Sequence, residues 1–200
     1  MYYILKRGID IFLSLISLIF LSPFFIFIGL LIKLDSVGPV IYKGMRIGKG
    51  GIPFKIYKFR TMVDNADRIG GPSTAGDDPR LTNVGKWLRR YKLDELPQLF
   101  NVLKGEMSIV GPRPEVKHYT DMFNDREKLI LSVKPGITDW ASIWNPDEGK
   151  ILAGSKDPEK TYMEKIRPHK INLQLKYVNE HSFWIDLKII FDTLRIIVLK

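Results

Sequence analysis

The sequence predicts a mainly α-helical protein with one small β-hairpin, made monotopic by an N-terminal re-entrant, helix-break-helix membrane element. Three observations predict this class. Residues 11–32 are apolar and uncharged, close to the roughly 20 residues that cross a bilayer as a helix. Ser22-Pro23 stands at the middle of that run. After Lys33 the composition turns polar and basic, and two strand-like segments flank a glycine-rich turn before helical patterns take over.

The apolar run is too long for a signal peptide, and no small-residue cleavage site follows it. A plain membrane-spanning helix is the default reading of such a run. Two features speak against it. Pro23 removes a backbone hydrogen bond and bends a helix. Lys6 and Arg7 before the run and Lys33 after it give no charge asymmetry to orient a span. A helix that enters, bends at Ser22-Pro23 and returns to the same face satisfies both. The Ser22 hydroxyl is placed to bond a carbonyl that Pro23 frees, and Asp10 is expected at the interface near Lys6 and Arg7, where an ion pair is tolerable. The chain then divides into a membrane element, 1–35, and a catalytic domain on the membrane surface, 36–200.

The 200 residues suffice for one domain with a real core. Without cysteine, disulfides and thiolate metal sites are excluded. Thirty-one Lys plus Arg against 22 Asp plus Glu give a net charge of +9, which suits a nucleic acid, an anionic membrane or a phosphorylated substrate. There is no internal repeat.

Val40-Ile41-Tyr42 and Phe54-Lys55-Ile56-Tyr57 read as strands joined through Gly48-Lys49-Gly50-Gly51. Lys55, Lys58 and Arg60 are either a solvated basic edge or a phosphate clamp. Residues 64–80, with Gly70-Gly71-Pro72 and Asp77-Asp78-Pro79, read as a loop. Thr82–Tyr91 is a short basic helix carrying Lys86, Arg89 and Arg90.

Leu93–Gly105 organises the rest. Pro97 suits a first helical turn and Gly105 the left-handed residue past a helix end. Leu96, Leu99, Phe100 and Leu103 fall on one helical stripe. Asp94 and Glu95 therefore sit at a helix start, either as caps or as chemistry in a region that favours carboxylate and phosphate.

Pro112 and Pro114 flank Arg113 and restrict its backbone, which suits bidentate contact with phosphate or carboxylate. Residues 118–131 read as a polar helix, Lys134–Trp140 as a turn with a short aromatic segment, and 145–158 as a loop. Trp140 and Trp144 either stack on a base or pack in the core. Phe183–Leu199 is a helix that either lies in the membrane interface or packs on the domain.

These residues offer a membrane element, a carboxylate pair and candidate cations in Lys58, Arg60 and Arg113. His118, His169 and His181 are scattered along the sequence. A carboxylate can attack phosphorus and divide one transfer into two steps. Cations must offset its repulsion from phosphate, and Mg2+, which takes one or two carboxylates plus phosphate oxygens, fits the same set. The combination points to phosphoryl-type transfer at a membrane surface.

The ordered motifs Lys6-Arg7-Gly8-Ile9-Asp10, Ser22-Pro23, Phe54–Met62, Leu93-Asp94-Glu95-Leu96-Pro97-Gln98, Met107–Pro114 and Lys134–Thr138 cover nearly the whole chain. In them the chain resembles a bacterial sugar transferase of the small monotopic phosphoglycosyl transferase family. The resemblance implies an Asp-Glu dyad on a re-entrant, single-leaflet scaffold at the cytoplasmic face of the inner membrane. Asp94 would be the nucleophile, taking a phosphosugar from a UDP-sugar with release of UMP. Polyprenyl (undecaprenyl) phosphate would then accept it, in the first membrane step of O-antigen, capsule, exopolysaccharide or glycoprotein glycan assembly. Glu95 would share metal binding or proton handling, with Mg2+ on Asp94 and Glu95. Lys58, Arg60, Arg113 and Arg46 would bind substrate phosphates.

Two stretches depart from the family pattern. The Gln of the usual Gln-x-Arg-x-Gly is replaced around Met45-Arg46-Ile47-Gly48, and the usual Gly-Ile-Thr-Gly-Trp-Ala-Gln becomes Gly136-Ile137-Thr138-Asp139-Trp140-Ala141-Ser142. Rival classes are a membrane-tethered nucleic-acid binder and a structural anchor. The first lacks any recognisable motif, so no nucleic-acid partner is expected. The second has no use for Asp94-Glu95 or a rigid Arg113. The sugar, the pathway and a homo-oligomeric state are left open by the sequence.

Overall fold

The computed structural model describes residues 2–66, 69 and 75–198; the Gly70-Gly71-Pro72 part of the expected loop, and Leu199 of the expected last helix, lie outside them. Helix α1, Tyr2–Asp35, is about 51 Å long at 1.5 Å per residue. It is the one helix among the described residues that is long and apolar enough to cross a membrane. The expected break does not interrupt its secondary structure. Pro23 lacks the N–H that would bond the Ile19 carbonyl, and the Ser22 hydroxyl donates to that oxygen at 2.8 Å instead, so the lost bond is replaced locally.

One face of α1 packs on the rest of the protein and the other exposes Ile4, Phe12, Ile19, Phe20, Ile26 and Leu34. Arg7 donates to the Val102 and Leu103 carbonyls at 2.5 and 2.8 Å; both lie in the last turn of helix α3, Gln98–Lys104, whose carbonyls have no partner within the helix. Asp10 is buried and accepts from the Ser108 hydroxyl and the Ile109 N–H at 3.1 and 3.0 Å. Asp10 is thus inside the protein and not at an interface with Lys6 and Arg7: backbone and hydroxyl donors of β3 take its carboxylate, and Lys6 pairs with Asp186 at 2.7 Å. Farther along α1, Phe25 meets Phe59 edge-on at 5.3 Å, and Ile28 and Ile32 pack with Phe59 and Leu88. The N-terminal and C-terminal halves of α1 thus grip the same domain.

Strands β1, Ile41–Ile47, and β2, Pro53–Phe59, form the antiparallel hairpin, with Tyr42 opposite Lys58 and Gly44 opposite Ile56. Helix α2, Asn83–Arg90, is capped by the Thr82 side chain on the Gly85 N–H, and Asp35 at the end of α1 accepts from the Val84 N–H at 3.0 Å. Gly105 closes α3 in the left-handed region, at φ 84°, a conformation that glycine adopts without a Cβ penalty.

The stripe of α3 differs from the periodic reading. Gln98, Leu99, Asn101 and Val102 are buried while Phe100 is largely exposed. Asn101 takes an inward place because its amide accepts from the Tyr57 N–H at 2.9 Å and donates to the Lys55 carbonyl at 2.7 Å. A polar residue that pairs fully with a strand edge can displace an apolar one from the core.

A second sheet was not expected. Strands β3, Ser108–Val110, and β4, Gly136–Thr138, pair in parallel. They approach so closely that a Cβ on Gly136 would stand 2.1 Å from the Gly111 nitrogen, so only glycine fits there. Residues 118–131 are not one helix but a short α4, Lys117–Thr120, and a 3-10 stretch, Glu127–Ser132. The Trp140 segment is α5, Trp140–Trp144. The expected loop 145–158 contains α6, Glu148–Leu152, and reaches the start of α7, Pro158–Thr161. A π-helical segment, Tyr162–Ile166, leads into α8, Arg167–Glu180. Helix α9, Phe183–Val198, combines both readings of its sequence. It buries Ile189 against Val110, Val133 and Tyr177, and leaves Trp184, Phe191 and Leu194 exposed.

Candidate active site

The chain leaves α2 and turns at Lys92, whose φ of 59° is left-handed, a conformation costing a non-glycine residue about 1–2 kcal/mol. The turn delivers Leu93–Glu95 as a 3-10 stretch ahead of α3. Asp94 and Glu95 are both buried, yet their surroundings differ. Lys58 donates to Glu95 Oε1 at 2.8 Å. Arg113 donates to Glu95 Oε2 at 3.0 Å through Nη1 and to Oε1 through Nη2, a bidentate fork of the kind that favours arginine. Asp94 has no hydrogen-bond or ion-pair partner among the described residues and lines the adjoining cavity.

Lys58 reaches this site because it occupies an inward position of β2. Phe54 and Ile56, four and two residues earlier, are buried on the same face. Arg60 lies beyond the strand end and goes elsewhere: it is buried, donating to the Ser36 carbonyl and hydroxyl at 2.7 and 3.0 Å. It anchors the end of α1 rather than joining Lys58 and Arg113. Arg46 lines the cavity and donates to the Met45 carbonyl at 2.8 Å, without contact to the dyad.

The two carboxyls diverge electrostatically. Burial raises Asp94 above the ordinary carboxylate range, against the pull of Lys58. Burial works on Glu95 in the same direction, but the Arg113 guanidinium and then Lys58 outweigh it and hold the group well below that range. Burial also lowers Lys58, with Glu95 countering, while Glu95 raises Arg113. The site therefore holds an ionised, fully paired glutamate beside an aspartate whose oxygens face open space. That space is a cavity of roughly 1720 Å³ bordered by Ser17 and Leu21 of α1 as well as by Lys58, Asp94, Glu95 and Arg113. It exceeds the ~300–1,000 Å³ of a usual small-ligand pocket.

Comparison with known proteins matches the family described as bacterial sugar transferase over residues 1–200. The chain belongs to the bacterial sugar transferase family. Within it, the chain is 39% identical over 201 residues to an Aeromonas hydrophila protein named UDP-N-acetylgalactosamine-undecaprenyl-phosphate N-acetylgalactosaminephosphotransferase, covering 98% of this chain and 44% of that protein. It is 42% identical over 196 residues to the UDP-glucose:undecaprenyl-phosphate glucose-1-phosphate transferase of Escherichia coli K12, covering 95% of this chain and 39% of that protein. The chain thus spans less than half the length of these two relatives. It matches nearly all, 93%, of the exopolysaccharide production protein PSS of Rhizobium leguminosarum bv. phaseoli, at 41% identity.

This transferase-family site also rests on residues whose role the motifs did not reveal. Asp139, which stands where the family usually has glycine, is fully buried. Its Oδ1 accepts from the Ser142 N–H and hydroxyl, both at 2.7 Å, and its Oδ2 from the Arg113 N–H at 3.2 Å. The two departures Asp139 and Ser142 are thus partners: together they cap α5 and fix the Arg113 backbone. Asp-x-x-Ser is a capping spacing and was visible in the sequence; the bond to Arg113 was not. Lys92 gave no signal, because left-handed turns are normally marked by Gly or Asn.

Glu95 and Asp94 should affect stability in opposite directions. The folded-state pKa of Glu95 lies below its unfolded value, so its contribution is present in full above about pH 5 and fades as pH falls through the depressed folded value. Asp94 is the reverse: its raised value favours the fold only at acid pH, and the benefit is lost as pH rises through it. At pH 7 Glu95→Gln should therefore destabilise by about 3 kcal/mol, removing the partner of two half-buried cations, a Tm drop on the order of 10 °C. Asp94→Asn should raise Tm. Thermal unfolding of the three proteins in one detergent checks both signs.

Proposed function

We propose that this chain transfers a sugar-1-phosphate from a UDP-sugar to undecaprenyl phosphate, through a covalent intermediate on Asp94. The observation that carries this reading is the division of labour in the dyad: Glu95 is saturated by Lys58 and Arg113, while Asp94 is unpartnered and faces the cavity. A carboxylate without a partner is the one free to attack. In the first step an Asp94 oxygen forms a bond to the sugar-bearing phosphorus, and the bond to the bridging oxygen breaks, so UMP leaves with the electron pair. In the second, an oxygen of the lipid phosphate attacks the same phosphorus and the Asp94–phosphorus bond breaks, restoring the carboxylate. Lys58 and Arg113, held 2.8 and 3.0 Å from Glu95, line the cavity where anionic substrates bind and offset their charge. Each donor hydrogen not spent on Glu95 is available to a phosphate oxygen.

The donor set also fits Mg2+. Asp94 supplies one free carboxylate, in keeping with a cation that takes one or two carboxylates and completes its shell with phosphate oxygens and water. Glu95, with each oxygen engaged by a cation, does not offer a second in this arrangement. When bound, magnesium would neutralise phosphate charge and polarise the phosphorus centre.

Membrane placement supports the lipid acceptor. Ser17 and Leu21 of α1 line the same cavity as Asp94, which gives a bilayer-borne phosphate a route to the site. In our reading α1 is re-entrant, with both ends at the cytoplasmic face of the inner membrane, because Arg7 and Asp10 near one end and Phe25, Ile28 and Ile32 toward the other hold one domain. A helix crossing the bilayer would carry about 30 Å of its length out of reach of a domain on one side.

Two experiments test this function. Enzyme mixed with an accepted UDP-sugar and no lipid should release about one equivalent of UMP and gain the mass of a phosphosugar at Asp94; Asp94→Asn should do neither. If UMP appears only after lipid is added, and no adduct forms, direct attack by the lipid phosphate replaces the covalent route. For topology, the chain has no native cysteine, so single cysteines at positions 3 and 37 report cleanly. Both should react with an impermeant maleimide from the same side of sealed vesicles; labelling from opposite sides would establish a span.

A further inference from the structure

The cavity extends from Asp94 in two directions of unlike electrostatic character. Toward α2 it is lined by Lys86, Arg89, Arg90 and Lys92, none of which forms an ion pair among the described residues. That side suits anions. Toward α6 and α8 it is lined by Glu115, Asn145, Glu148, Tyr162 and Lys170, a wall that mixes carboxylates with a cation and neutral polar groups instead of presenting cations alone. This second wall begins two residues from Arg113, the residue that clamps Glu95, so it adjoins the reacting centre.

Its internal bonds leave specific capacity unused. Lys170 is buried and contacts Glu115 Oε1 at 2.6 Å, and it donates to the Tyr162 hydroxyl at 3.2 Å. Glu115 is therefore neutralised. Glu148 Oε2 stands 3.8 Å from the same ammonium, too far for a normal hydrogen bond, and its side chain is partly exposed. The Asn145 amide nitrogen is buried without a partner. A partly exposed carboxylate with free acceptor positions, beside an unpaired amide and a fixed ammonium, matches the hydroxyls of a neutral sugar ring, which both donate and accept.

We propose that Glu148, Asn145 and the Lys170–Glu115 pair form the subsite for the hexose ring of the donor, with the nucleotide phosphates on the α2 side of Asp94. This rests on the transferase reading above and assigns the residues that discriminate one sugar from another. Glu148 and Asn145 supply hydrogen bonds that a donor must satisfy or forfeit, and a site built to bond a hydroxyl rejects an analogue that lacks it far more strongly than an apolar pocket does.

The test uses binding, so that it is independent of turnover. Calorimetry on the full chain in lipid nanodiscs, carrying Asp94→Asn to prevent reaction, compares UDP with UDP-glucose, UDP-galactose and their N-acetylated counterparts. One UDP-sugar should bind more tightly than UDP. Adding Glu148→Gln should weaken that sugar nucleotide about tenfold, the scale of one charge-assisted hydrogen bond, and shift UDP less than twofold. Asn145→Ala should act in the same direction. Three results would overturn the assignment: no UDP-sugar binding more tightly than UDP, sugar-nucleotide affinity unchanged in both variants, or UDP affinity falling in parallel, which would place the ribose there instead. Failure of the transferase reading is separately visible, as absence of UMP release from the unsubstituted protein with every donor and lipid phosphate present.

Discussion

The constraint on which this structure depends is the ionised Glu95 held between Lys58 and Arg113. The three side chains come from a strand, a proline-flanked segment and the turn before α3, which are far apart in sequence. Bringing them together costs desolvation of one anion and two cations, and attraction alone rarely exceeds such a cost by much. What the triad secures is geometry. With Glu95 fixed, Lys58 and Arg113 have one arrangement each, and Asp94 next to it is left as an open carboxylate facing the cavity. The surrounding bonds serve this placement: Asp139 holds the Arg113 backbone, and Asn101 ties α3 to the strand that carries Lys58.

The long apolar helix α1 is tied to the same arrangement. Arg7 donates to the carbonyls that end α3 and Asp10 to β3 accepts two hydrogen bonds, while Arg60 closes the other end of α1 through Ser36. Because α3 follows the dyad directly, a shift of α1 would be felt at Asp94. The long apolar helix and the turn that carries the carboxyl pair are therefore mechanically one unit.

Much of this was legible in the sequence where a local rule applied. Pro97 and Gly105 delimited the segment around α3, the glycine-rich turn announced the β1–β2 hairpin, and Pro112 and Pro114 marked Arg113 as rigid. The parts that were not legible depend on contacts across the chain. Lys58 and Arg60 are two residues apart and would share a strand face, but β2 ends at Phe59, so the second cation turns to α1. Adjacent carboxylates in a tight 3-10 turn point to different surroundings, which spacing alone does not reveal. The parallel pair β3–β4, which sets Asp139 against Arg113, joins segments more than twenty residues apart, and the turn signals near its ends do not say which strands pair. The stripe on α3 misled because Asn101 is fully bonded, a fact that belongs to the neighbouring strand and not to the helix.

The neighbouring carboxyls of this one turn are shifted in opposite directions, Asp94 upward and Glu95 downward. Carbon-13 NMR of the side-chain carboxyls, assigned through Asp94→Asn and Glu95→Gln, measures this directly across a pH titration. Glu95 should stay ionised well below the ordinary glutamate value of about 4.3, and Asp94 should take up its proton above the ordinary aspartate value of about 3.9. Glu95 titrating at a higher pH than Asp94 would contradict this, because the paired and the free carboxylate would then have been assigned the wrong way round.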